Sequence, residues 1–180
     1  MSGFRLIDAR TEAPPNLQSF LERLGTGDAG FGGTPVGDGS MTLDEYLDQH
    51  AQRDLIARPG WVPQTIWWMA ASDEAAERVV GMVRMRHDLN DTLSVRGGHI
   101  GYYVDPAERR KGFASRALAL VLTEIRKVGV HRAMLTTNPW NHGSIRVIEA
   151  NGGVLDAQVP DPEEPGETIN QYWIDLSKSP

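Results

Sequence analysis

Three consecutive cations, Arg109, Arg110 and Lys111, run into Gly112 and then into an apolar-periodic stretch beginning at Phe113. No other segment brings residue types and spacing together so clearly for chemistry. A helix start exposes unpaired backbone N–H groups and a partial positive charge, and cations placed there add to that field instead of opposing it. Gly112 has no Cβ, so the backbone at this point can come close to a phosphate. The pattern predicts a site for a nucleotide-sized anion formed by Arg109, Arg110, Lys111, Gly112, Phe113, Ala114 and Ser115. Asp105 and Glu108 lie just upstream and cancel part of the charge, so an ordinary solvated basic turn is the competing reading.

Other reactive constellations are sparse. The chain has no cysteine, which removes disulfides, thiolate metal sites and a cysteine nucleophile. Its five histidines, at 50, 87, 99, 131 and 142, show no metal-ligand spacing, so no metal site is expected. A serine-hydrolase elbow is absent. The string from Gly25 to Gly30 has the letters of a dinucleotide fingerprint, but a helical pattern precedes it and more glycine follows, so it reads as loop. Trp67 and Trp68 point to opposite sides of a strand, one expected in the core and the other at an acceptor pocket. Asp161, Glu163, Glu164 and Glu167 suit either a cationic acceptor or a solvated loop.

The elements that must position these residues follow from periodicity. Residues 4–9 form a candidate strand, and the apolar positions 17, 20, 21 and 24 mark one helical face. Residues 25–40 read as a glycine-rich loop. Thr42 is a candidate N-cap with Glu45 at the capping-box position, and Leu43, Tyr46, Leu47 and His50 would share a face. Strands at 65–71 and 79–87 make a hairpin across a polar turn at 72–78, and a strand at 99–104 delivers the chain into the basic turn. The helix from 113 to 128 buries positions 113, 117, 118, 121, 122, 125 and 128, with Gly129 as its stop. A strand at 132–137, a helix at 144–150 and a last hairpin of 154–159 with 168–176 complete the chain. The strand–helix–strand order from 99 to 137 predicts a β-α-β crossover between parallel neighbours. The expected fold is α/β (α+β): a mixed, mostly antiparallel twisted sheet with helices on both faces.

The stretch carrying Tyr102, Val104, Pro106, Arg109, Gly112 and Ala114 resembles the acetyl-CoA-binding motif of the GNAT superfamily of N-acetyltransferases. The segment with Asn141 and Ser144, running on to Gly152 and Gly153, is similar to the helix that closes the cofactor site in that family. These motifs cover residues 98–153, and the broader likeness runs from Val80 to Leu176, including the Gly-Gly-His-Ile-Gly-Tyr strand. The resemblance implies acetyl-CoA as co-substrate, bound by Tyr102, Val104, residues 109–115, Asn141 and Ser144. It implies that the strands ending at Val104 and near Thr137 splay, with pantetheine in the gap and Val104 N–H and C=O acting as a half-strand. His99 is the candidate general base, with a backbone-bonded structural histidine as the alternative. The family's tyrosine acid is replaced by Ile148, which leaves Ser144, Tyr172 or water near the thiolate. For Tyr102 and Tyr103, core and substrate roles stay open.

Length and composition fit one domain, 1–180, with a less recognisable N-terminal helical part (1–65) and a sheet core carrying the motifs (66–176). A formal charge of −6 argues against nucleic acid as a partner. The longest apolar run, 117–122, is too short to span a bilayer, and the start of the chain has no signal-like apolar stretch, so a cytoplasmic location and no membrane partner are expected. The expected function is transfer of an acetyl group to a primary amine of a small molecule by direct attack in a ternary complex. A non-catalytic acyl-CoA-binding domain, a peptide or protein N-terminus as acceptor, and a homodimer stay open.

Overall fold

The computed structural model describes residues 3–28, 30–52, 59–72 and 76–177. Its main sheet has four antiparallel strands in the order β1 (Gly3–Asp8), β4 (Gln64–Ser72), β5 (Glu77–Arg86) and β6 (Ile100–Val104). Between β1 and β4 come α1 (Leu17–Leu24), a two-residue-per-strand hairpin of β2 (Gly27–Asp28) and β3 (Phe31–Gly32), and α2 (Leu43–Tyr46), which continues as a π turn over Leu47–Ala51. A 3₁₀ turn (Pro106–Glu108) and α3 (Phe113–Lys127) follow β6. The second sheet has the order β7 (Arg132–Thr137), β9 (Thr168–Asp175) and β8 (Gly153–Pro160), with α4 (His142–Ala150) between β7 and β8.

Helices cover both faces of the main sheet. Alternation along β4 sends Met69 and Ala71 to one core, with α3, and Ile66, Trp68 and Ala70 to the other, with α1. Leu17, Phe20 and Leu21 of α1 are fully buried, each contributing about 1.5–3 kcal/mol by leaving water. The capping box at Thr42 is formed: its hydroxyl accepts from Glu45 N–H, and the Glu45 carboxylate accepts from Thr42 N–H at 2.9 Å. On α3 every expected core position is buried except Val128, which is 41% exposed because the helix ends one residue earlier.

Two expectations are corrected. Residues 25–40 are more than loop, since β2 and β3 form a small hairpin there. And β6 and β7 share no parallel ladder: they are edge strands of two antiparallel sheets, joined by an isolated bridge between Gly98 and Leu135. The turn expected at 72–78 includes residues 73–75, which lie outside the described set. Among the described residues no helix is long and apolar enough to cross a membrane.

Candidate active site

The gap between the sheets begins at a glycine-hinged contact. Gly98 has φ +63°, and a Cβ there would meet Met134 O at 2.4 Å, so the close approach requires glycine. Next to it, His99 N–H donates to Met134 O at 2.7 Å, and Met134 N–H donates to His99 Nδ1 at 2.9 Å. An imidazole therefore takes the place of a backbone acceptor, and beyond it the strands are free to part.

Register determines what faces the gap. Arg86 N–H donates to His99 O and Asp105 N–H donates to Val80 O, so residues 99, 101, 103 and 105 are the ones bonded to β5. Tyr102 and Val104 occupy the alternate positions, with N–H and C=O turned away from β5. Arg109 Nε already donates to Val104 O at 3.1 Å, leaving that carbonyl one lone pair.

A cleft of about 710 Å³ follows this edge to the start of α3 and across to α4. Gly112 is the N-cap of α3, at φ +81°, and a Cβ placed on it would meet nothing within 4 Å. No side chain caps the helix, and the first intrahelical bond is Arg116 N–H to Gly112 O, so the N–H groups of Phe113, Ala114 and Ser115 have no acceptor within it. All four residues line the cleft. An open cradle of uncapped N–H groups beside a cation suits a phosphate. That cation is Arg110, itself at φ +63°, which forms no ion pair among the described residues. Its neighbours are engaged: Arg109 reaches Asp28 at 2.5 Å and Lys111 reaches Glu108 at 2.8 Å. On the far wall Asn141 caps α4, its Oδ1 accepting from Ser144 N–H at 3.1 Å. Trp140, 57% exposed, and Arg146 complete that wall. Neither was singled out from the sequence, although both lie within the 98–153 stretch that carries the motifs.

A second cavity of about 280 Å³ lies on the other side of Tyr102. The two share Phe31, Tyr102 and Ser144. Tyr102 spans the gap, its hydroxyl donating to Ser144 O at 3.3 Å, and burial pushes the phenol up to about 12 against the easing effect of that bond. Tyr103 packs between Phe20 and Phe31 with Arg109 over its ring, and it also lines the larger cleft. The β2–β3 hairpin roofs both cavities through Phe31, a part no local motif revealed.

Other sequence candidates fall outside these cavities. His99 is 7% exposed and lines neither, and burial pushes it down to about 4, with Asp88 opposing and Arg86 adding to the shift. Its Nδ1 is occupied by Met134 N–H, the arrangement that the backbone-bonded alternative describes. Tyr172 is 2% exposed in the main core, where burial and Glu149 raise its pKa. It lines neither cavity, so a hydroxyl reaching in from the last strand is not found. Trp67 packs against the α3 core and lines neither cavity, while Trp68 is fully buried on the other face. Asp161 is no solvated loop residue: it is buried and paired with Arg96, which also holds Glu163 at 2.8 Å. Ile148, where the family's tyrosine is missing, is a core residue touching the small cavity.

A model of the acetyltransferase (GNAT) family matches residues 40–152, more than half of the chain. No curated protein sequence matches. Among solved structures, the chain is similar to yncA, a putative acetyltransferase from Salmonella typhimurium with its cofactor acetyl-CoA (TM-score 0.67, 17% identity, 99% of this chain and 95% of that one covered). It is also similar to an acetyltransferase of the GNAT family from Streptococcus pneumoniae (0.64, 18%, 98% and 100%). A third is the spermidine/spermine N-acetyltransferase SpeG from Vibrio cholerae, solved with manganese ions (0.60, 14%, 98% and 94%). At these identities the likeness is one of fold.

Proposed function

The chain belongs to the acetyltransferase (GNAT) family, and on that premise we propose that it transfers the acetyl group of acetyl-CoA to the primary amine of a small molecule, with both substrates bound together. The observation that carries the reading is the meeting of two cavities at Phe31, Tyr102 and Ser144, one long and edged by an uncapped helix start, the other small. When bound, acetyl-CoA supplies an activated thioester: the amine nitrogen forms the C–N bond, the C–S bond breaks, sulfur leaves as thiolate, and the amine's surplus proton passes to water.

The residues then have separate tasks. Arg110 and the N–H groups of Phe113, Ala114 and Ser115 hold the pyrophosphate, and Trp140 and Arg146 flank the arm from α4. The outward N–H groups of Tyr102 and Val104 serve the pantetheine amides and the carbonyl oxygen on which charge develops. Tyr102, whose one hydroxyl proton is given to Ser144 O, lines the junction of the two cavities and keeps that proton. A phenol at about 12 does not protonate a thiolate whose thiol titrates near ~8.5. The thiolate therefore leaves unprotonated, and positioning supplies most of the acceleration. The size of the second cavity supports a small acceptor over a polypeptide terminus.

The reading is tested on the folded protein with acetyl-CoA, NADH and ATP in parallel. Saturation at about 100 times Kd adds about 2.7 kcal/mol, which raises the melting temperature by about 5–11 °C for a chain of this size. Acetyl-CoA is expected to give that shift and the other two much less. Free-thiol release with a panel of amines then reads transfer, and equal shifts from all three nucleotides would reduce the turn to a generic anion site.

A further inference from the structure

The small cavity is lined by three guanidinium groups, Arg84, Arg86 and Arg96, and by a single carboxylate among its described lining residues, Glu163. Glu163 is already committed to Arg96, as is the buried Asp161 behind it. No lining carboxylate is left over to receive a cationic tail. Arg86 donates to the carbonyls of Gly98 at 2.9 Å and Gly97 at 3.4 Å, which orient its guanidinium.

Arg84 stands out within that wall. It forms no ion pair among the described residues. Its Nη2 donates to Gly32 O at 3.0 Å, its guanidinium lies 4.1 Å from the centre of the Phe31 ring, and its Nε is enclosed with no acceptor. A guanidinium has five N–H donors and a full charge, and one carbonyl and one ring face compensate only part of that. Burial holds its pKa below the ordinary value, with Tyr46 slightly opposing. A desolvated cation is costly unless an anion meets it, and among the described residues no carboxylate forms an ion pair with it. Phe31, on which Arg84 rests, is also one of the three residues where the two cavities join. The guanidinium thus packs on a residue of the junction through which the two proposed substrates would meet.

Building on the transferase reading, we propose that the acceptor amine also carries an anionic group, a carboxylate or a phosphate-type group a few bonds from the nitrogen, which binds on Arg84 in the small cavity. Acceptors of amino-acid type meet this description. The apolar remainder of the acceptor lies against Leu93, Ile100, Leu135 and Ile169. Polyamines do not fit, because their second ammonium meets guanidinium groups with no spare carboxylate.

The test compares acetyl transfer to the twenty common L-amino acids, their amides, phosphoethanolamine and spermidine. The best acid, or phosphoethanolamine, is expected to exceed its neutral counterpart or spermidine by at least about tenfold in kcat/KM, and carboxylate against phosphate identifies the source of the anion. Arg84→Met should lower kcat/KM for the acids about 100-fold, mainly through KM, lower that for the amides at least about tenfold less, and keep the Kd of CoA within about twofold. Arg84→Lys should recover part of the loss. Equal use of acids and amides by the wild-type protein, or preference for spermidine, overturns the proposal whether or not the variants fold. Calorimetric titration of the acids into CoA-saturated protein separates the two layers. Binding that disappears in Arg84→Met without any transfer upholds the anion pocket and refutes the transferase reading, whereas transfer to neutral or cationic amines alone does the reverse.

Discussion

Replacing His99 by glutamine separates a structural imidazole from a catalytic one. In the fold Nδ1 accepts from Met134 N–H at 2.9 Å, so the ring is neutral there, and burial pushes its pKa down to about 4 from 6.5. A depressed histidine pKa means that the unfolded chain takes up a proton the folded chain refuses. The stability associated with neutral His99 is thus fully present above about pH 6.5 and is lost as pH falls toward 4. With those two values the loss is about 2 kcal/mol at pH 5 and reaches about 3 kcal/mol below pH 4. At about 2–4 °C per kcal/mol, pH 5 costs roughly 4–8 °C through this residue alone. Glutamine can still accept from Met134 N–H but does not titrate. The assay is thermal or urea unfolding of both proteins at pH 7, 6 and 5, and the difference between them cancels the other ionisable groups. The wild type should lose its advantage over His99→Gln by about 2 kcal/mol across that range, while turnover at pH 7 stays within about threefold. Parallel stability curves, or a hundredfold loss of turnover with unchanged stability, would show that the imidazole is exposed to protons and serves as the base.

Gly112→Asp places a carboxylate in the open space at the α3 N-cap. Positive φ costs about 1–2 kcal/mol and N-capping returns part of it, so melting should fall by no more than a few degrees while CoA affinity drops at least about 100-fold by isothermal titration. Unchanged CoA affinity in the folded variant would remove the pyrophosphate site. Tyr172→Phe is expected to leave turnover within about twofold, because the ring is core, whereas Tyr102→Phe removes the bond to Ser144 O and should lower kcat several-fold with little change in KM. The opposite ranking in steady-state rates would return the acid role to Tyr172. Initial-rate plots with varied acetyl-CoA and amine should intersect. Parallel lines, or an acetylated protein isolated without acceptor, would indicate a covalent intermediate.

The sequence by itself determined what depends on near neighbours along the chain. The face of α1, the capping box at Thr42, β7, the last hairpin and the glycine at the start of α3 were legible, because periodicity, caps and turns act over a few residues. The tertiary structure decided what depends on distant partners. Whether β6 and β7 would share a ladder was settled by Gly98 and the His99 ring against Met134, 35 residues away for the imidazole bond. Which cation of the basic turn remains unpaired was settled by Asp28, 81 residues from Arg109. Arg84 reads locally as an alternating strand residue, and its charge acquires meaning only where Gly32 and Phe31 fold over it and no carboxylate of the described residues pairs with it. Charge compensation and cavity shape are properties of what converges in space, and residues that converge from opposite ends of a chain leave no period in its sequence.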